Sequence, residues 1–161
     1  LTQGLLFSEA AAGRCGHDAV VNRLTEILII QLLRYAIEAQ LIHGGVLAGL
    51  ADPRLAKVLN ALHATPGRPW TLAAMAEAAG MSRARFAVHF TRRVGLPPGD
   101  YLTGWRLGLA CSLLRKGLAV KQVAGEVGYA NASALARAFS QRFGTTPTAW
   151  LLQTPAGDPT I

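Results

Sequence analysis

The sequence predicts an all-α fold: two helix-turn-helix units joined by a long linker helix and preceded by connector helices. Three observations carry that prediction. The 161 residues are rich in alanine and leucine, are 51% hydrophobic with 7% aromatic residues, and contain no sustained strand-like alternation. Leu72, Met75, Ala76 and Ala79 mark one helical face that stops at Gly80, and Ser82 then caps a helix striped by Phe86, Phe90 and Val94. The same pattern recurs about 48 residues later. Val120, Val123, Ala124 and Val127 lead to Gly128-Tyr129, and Leu135, Phe139 and Phe143 come next. Each copy closes alike, as Gly95-Leu96-Pro97-Pro98 and as Gly144-Thr145-Thr146-Pro147, and the second turn is one residue longer.

Taken in order, residues 1–12 read as the tail of a helix broken by Gly13 to Gly16, which suggests a piece of a longer protein. A second helix is expected over 19–42. Val21, Leu24, Leu28, Leu32, Tyr35, Ala39 and Ile42 form one seam, and Ile27, Ile30, Leu33 and Ile37 form a second apolar flank. A helix apolar on two sides needs two covers, one from the rest of this chain and one from a missing domain or a second copy. Leu24, Ile27, Leu28, Leu32 and Tyr35 are therefore expected to bury area against another chain or domain or against residues 1–12. Residues 1–49 are thus read as a helical connector and dimerisation segment, ended by Gly44-Gly45 and Gly49.

Residues 50–153 are read as the second unit. Asp52-Pro53 opens a helix as N-cap and first-turn proline, with Leu55, Val58, Leu59 and Leu62 on one side, ending near Ala64. Thr65-Pro66-Gly67-Arg68-Pro69 is a turn cluster, and Thr71 caps the first helix-turn-helix unit, about 71–95. The linker helix runs over 98–116, about 27 Å at ~1.5 Å per residue. Gly104 and Gly108 weaken it, unless their bareness serves close helix packing. The second unit spans about 120–144, Pro147 opens a last short helix, and 154–161 reads as a disordered tail.

Charge separates the two parts. Residues 1–50 carry a net −1, whereas 66–153 carry +8, against +7 for the whole chain. A basic excess confined to the helix-turn-helix copies is the footprint of a phosphate-backbone partner. Other classes fit poorly. His17, His43, His63 and His89 are scattered, with no metal-ligand spacing, and Cys15-Gly16-His17 places nucleophile and base side by side without a third partner. No catalytic set, metal site or cofactor is therefore expected. No stretch can span a bilayer, since Ile27 to Leu33 is short, contains Gln31 and precedes Arg34. Two cysteines, Cys15 and Cys111, make no disulfide framework, which favours the cytoplasm.

Residues 50–153 resemble the DNA-binding domain of AraC-family transcriptional regulators. The resemblance rests on Trp70-Thr71-Leu72, Ala78-Ala79-Gly80-Met81-Ser82-Arg83, Val94-Gly95-Leu96-Pro97-Pro98, Tyr101-Leu102-Thr103 with Trp105-Arg106-Leu107, Val127-Gly128-Tyr129, and Ala138-Phe139 through Pro147. Leu24 to Arg34, Ala51-Asp52-Pro53-Arg54 and Leu62-His63 are similar to the branch whose N-terminal sensor is a cupin barrel. The resemblance implies two recognition helices in successive major grooves of double-stranded DNA, a missing effector-sensing domain, a bacterial nucleoid setting and a contact with RNA polymerase. Leu135, Gly125 and Trp150-Leu151-Leu152 depart from the family's usual residues, the last by removing positive charge.

Candidate DNA-binding residues lie on both second helices. An inward Phe86/Phe90/Val94 stripe turns Ala84, Arg85, Val88, Thr91 and Arg92 outward. Arg83 and Arg85 suit base edges or phosphates, and Ala84 and Val88 suit thymine methyls. The family's base-reading positions match Arg83, Ala84, Ala87 and Val88; Ser82 stands at the helix start. In the second copy Arg137 lies mid-face with Ser133, Ser140 and Gln141 beside it, and it too matches a family position that meets DNA. Asn131 and Arg142 complete the set, with Arg92, Arg93, Lys121 and Arg142 suited to phosphates. Trp70, Trp105 and Trp150 are read as packing residues. The alternative is an interaction module that assembles subunits through 1–49 and binds DNA nonspecifically. A preferred sequence bound in a salt-dependent way separates the two.

Overall fold

The computed structural model describes residues 16–38 and 44–153, which form nine helices and no strand. In chain order they are α1 (His17–Glu38), α2 (Val46–Ala51), α3 (Pro53–Ala64), α4 (Leu72–Ala78), α5 (Arg83–Val94), α6 (Pro98–Arg115), α7 (Val120–Glu126), α8 (Ala132–Phe143) and α9 (Pro147–Gln153). The expectations for residues 1–12, 39–42 and 154–161 lie outside the described residues.

Two separate cores form, and α6 serves both. The first gathers Leu55, Val58, Leu59 and Leu62 of α3, Met75 and Ala76 of α4, Phe86, Phe90 and Val94 of α5, and Tyr101 and Leu102 from the start of α6. The second gathers Leu107, Ala110, Cys111 and Leu114 from the rest of α6 with Val123, Ala124, Val127, Leu135 and Phe139. Aromatic contacts knit each one. Phe90 meets Tyr101 edge-on with ring centres 5.6 Å apart, and Phe139 meets Trp150 likewise at 5.7 Å. Phe86, Phe90 and Phe139 are wholly buried, and each such side chain contributes ~1.5–3 kcal/mol.

Local chemistry explains where the helices start and stop. Asp52 caps α3 by accepting from the Arg54 and Leu55 amides at 3.0 and 3.3 Å, and Thr71 caps α4 by accepting from Ala74 at 3.1 Å. Gly95 and Gly144 end α5 and α8 in the left-handed conformation, with φ of 86° and 72°, which costs an L side chain but not glycine.

Several expectations need correction. Gly49 does not break a helix; it lies within α2. A Cβ there would stand 2.8 Å from the Val94 side chain and 2.9 Å from that of Leu59, so its bareness lets α2 seat on α3 and α5. Gly104 and Gly108 show the opposite, because a Cβ at either would meet nothing within 4 Å. They serve no close packing. Leu72, the first residue of α4, lies beyond the core edge and is exposed. Trp105 is also exposed in part and stacks on His63 with ring centres 3.9 Å apart, whereas Trp70 and Trp150 flank the first and second cores.

Candidate nucleic-acid interface

The two helix-turn-helix units share one hydrogen-bonded turn. In the first, Gly80 (φ 63°) donates to the Glu77 carbonyl at 2.9 Å and Met81 reaches back to Ala76 at 2.9 Å. In the second, Gly128 (φ 84°) donates to Gly125 at 3.2 Å and Tyr129 reaches back to Ala124 at 2.8 Å. Both are the glycine C-cap that closes a helix with paired back-bonds. Four residues separate α4 from α5 and five separate α7 from α8, the extra residue falling after the shared turn.

Each turn delivers the chain into a capped helix with an exposed outer face. Ser82 Oγ accepts from the Arg85 amide at 3.4 Å, and Asn131 Oδ1 accepts from the Ala134 amide at 2.8 Å. Asn131, expected among the DNA contacts, thus commits its side-chain oxygen to the cap and keeps its amide nitrogen as a donor. On α5, Arg83, Ala84, Arg85, Val88, Thr91 and Arg92 are exposed and Ala87 is half-buried. Val88 is 70% exposed, an uncovered branched side chain in the middle of a basic face. Ala84, Arg85, Val88, His89 and Arg92 line a shallow open depression along this helix.

On α8, Ser133, Arg137, Gln141 and Arg142 are exposed. Ser140 does not join them on the open face. It is half-buried, and its hydroxyl donates to the Thr145 carbonyl at 3.2 Å. The basic residues are unevenly shared: α5 carries Arg83, Arg85, Arg92 and Arg93, and α8 carries Arg137 and Arg142.

Three features behind these faces have no local signature in the sequence. His89 of α5 bonds Asp52 at 2.7 Å, tying the first recognition helix to the cap of α3. Partial burial pushes the Asp52 carboxyl up, but the His89 bond and the Leu55 and Arg54 amides outweigh it and leave it below its ordinary value. His63 Nε2 lies 2.6 Å from the Tyr101 hydroxyl, joining α3 to α6, and burial pushes the imidazole down and the phenol up. Arg106, between the two cores on α6, donates to the Pro66 and Arg68 carbonyls at 2.9 and 2.8 Å.

Among the described residues, no group of three His, Cys, Asp or Glu could hold a metal ion. No helix among them is long and apolar enough to cross a membrane. Leu24 and Leu28 are half-buried on α1, while Ile27, Leu32 and Tyr35 are 45%, 55% and 64% exposed.

The helix-turn-helix domain model matches residues 75–153, and a cupin model matches residues 2–38. A Streptomyces lividans protein named as an AraC-like transcription regulator is 42% identical over 130 residues, covering 80% of this chain and 43% of that protein. The HTH-type transcriptional regulator AlkR of Acinetobacter baylyi is 36% identical over 133 residues, 82% of this chain and 44% of its own length. The chain thus spans about half the length of the curated relatives it matches. Among solved structures, the DNA-binding domain of AdpA, in complex with a target DNA, is similar with a TM-score of 0.59 and 27% identity, covering 68% of this chain and 99% of that domain. The C-terminal domain of AraT from Geobacillus stearothermophilus, 20% identical, shares the fold with a TM-score of 0.62 over 68% of this chain and 93% of that domain.

Proposed function

The chain belongs to the AraC-like transcription regulators, and from that premise we propose that it binds double-stranded DNA sequence-specifically through two recognition helices. The observation that carries this reading is the repeated unit: one turn, hydrogen-bonded alike twice, each leading into a capped helix with arginines on its open face. A recognition helix reads bases with its N-terminal and central outer residues while flanking cations hold phosphates. On α5 those residues are Ser82, Arg83, Ala84, Arg85, Ala87 and Val88, with Arg92 on the backbone. On α8 they are Asn131, Ser133, Arg137 and Gln141, with Arg142 on the backbone.

Joined by α6, about 27 Å long, the two helices suit successive major grooves, ~34 Å apart, on modestly bent DNA. The site is then asymmetric, about two turns long. In the whole protein we assign the cupin-like N-terminal part to effector sensing and the open face of α1 to a second copy or to that domain. The setting is the bacterial cytoplasm and nucleoid, with RNA polymerase as a further partner. The chain is no enzyme in this reading, and it uses no cofactor.

Selecting bound duplexes from a random pool tests the proposal. A reproducible motif over about two turns, with affinity falling steeply with salt, supports it. Enrichment of no motif overturns it in favour of an interaction module, the reading that the exposed apolar residues of α1 alone would favour.

A further inference from the structure

We propose that Arg106 is a positioning residue that fixes how the two helix-turn-helix units are set relative to each other, and so fixes the spacing of the DNA half-sites the chain accepts. The inference rests on the DNA-binding reading above. Its physical basis is the gap between the cores. Helix α6 enters the first core with Tyr101 and Leu102 and the second with Leu107. Between them Thr103, Gly104 and Trp105 are exposed, and Gly104 is a weak helix former. A single helical turn outside both cores, held to the first unit by the Trp105 ring on His63 and carrying a glycine, is a poor torsional link.

The structure bridges that gap from the side. Arg106 Nε donates to Pro66 O at 2.9 Å and its Nη2 to Arg68 O at 2.8 Å, so α6 grips the 65–69 loop of the first unit just before it enters the second core. That loop is itself stiff, since Thr65 O accepts from Arg68 N at 3.2 Å and from Trp70 Nε1 at 3.0 Å. Two glycines close the contact. A Cβ on Gly67 would lie 2.8 Å from the Glu126 carbonyl oxygen, at the end of α7. A Cβ on Gly128 would lie 2.8 Å from Arg106 Nη2 and 2.9 Å from Gly67 O. The turn of the second helix-turn-helix unit therefore touches the loop that leads into the first, with the planar guanidinium holding both loop carbonyls. Lysine has one compact point charge and cannot reproduce that fork.

The test uses this chain, Arg106→Ala, Arg106→Lys and Gly67→Ala on duplexes carrying the selected site with one base pair inserted or deleted between its halves. One base pair shifts the second half by ~3.4 Å and rotates it by about 35°. Wild type is expected to lose at least ~10-fold on either duplex, and the variants under ~3-fold, because a loosened joint adapts to the displaced half-site. Binding to a duplex holding one half-site should stay within ~2-fold, since neither recognition face changes. Variants that keep the wild-type spacing penalty overturn the inference and leave DNA reading intact.

A readout without DNA separates the two claims. Spin labels at Arg93 and Gln141 in a Cys15→Ser background report the distance between α5 and α8, narrow in wild type and broad in the variants. If no preferred DNA site exists, this distance alone decides, and equal widths overturn the inference. Gly67→Ala carries the test should Arg106→Ala fail to fold, because it removes no hydrogen bond and lies outside both cores.

Discussion

His89 Nε2 lies 2.7 Å from Asp52 Oδ2, so the helix that presents Arg85 and Val88 is anchored to the residue that caps α3. One carboxylate thus serves a cap and a tertiary tie. Asp52→Ala should cost ~1–2 kcal/mol from the lost cap and leave the His89 ring without its partner. The carboxyl lies below its ordinary 3.8 in the fold, so its contribution is complete above that value and is lost as pH falls below it. Asp52→Asn retains a capping oxygen and should flatten this part of the acid limb. Thermal unfolding of both variants across an acid series checks the sign.

A second pH effect acts higher on the scale. Burial lowers the His63 imidazole below its ordinary 6.5, so protonation favours the unfolded chain. Stability attached to His63 is present above about pH 6.5 and is lost as pH falls through the folded value. His63→Phe keeps a ring against Trp105 and removes the titration. Its unfolding curve should show a shallower decline than wild type as pH falls below about 6.5. An identical decline would place the effect elsewhere.

The helix glycines separate two roles that look alike in sequence. Gly104→Ala and Gly108→Ala should each stabilise α6 by up to ~1 kcal/mol, because the new Cβ meets nothing within 4 Å. Gly49→Ala should destabilise, because its Cβ would strike the Val94 and Leu59 side chains. Denaturant midpoints measured side by side test the contrast.

These glycines also show how far the sequence can be read. Turns and caps are legible because their chemistry is local: Thr71, Gly80, Ser82, Gly95 and Asp52 each act on amides or carbonyls a few residues away. Gly49 reads as a helix breaker because the partners that require it, Leu59 and Val94, come from two other helices. Likewise Arg106 and Pro66, or His89 and Asp52, meet across long stretches of chain. The outward face of α5 is set by its buried phenylalanine stripe, which periodicity reveals. The engagement of Ser140 with Thr145 depends on how the chain leaves α8, which periodicity does not encode.

Apolar exposure on α1 leads to an association prediction. Ile27, Ile30, Leu32 and Tyr35 stand open on one helix, more apolar surface than a lone helix usually leaves in water. Sedimentation should show concentration-dependent self-association of this chain, weakened by Leu32→Glu with helix content unchanged. A monomer at all concentrations would remove the dimerisation role from this helix.

The division of labour between α5 and α8 gives the sharpest test. Arg137 is exposed in the middle of α8 between Ser133 and Gln141, where a bidentate contact to guanine is sterically open. Such a contact contributes ~1–3 kcal/mol of discrimination against the wrong base. Arg92 lies near the end of α5, beside Arg93, and in the proposed docking it would meet the phosphate backbone rather than base edges. Arg137→Ala should therefore weaken the selected site more than scrambled DNA and relax preference at one base pair. Arg92→Ala should weaken both DNAs alike and make the salt dependence shallower by about one unit of slope. Binding of each variant to both duplexes across a salt series distinguishes the roles. Equal losses on both DNAs for Arg137→Ala would make that residue positional and move base reading to the α5 residues Arg83, Arg85 and Val88.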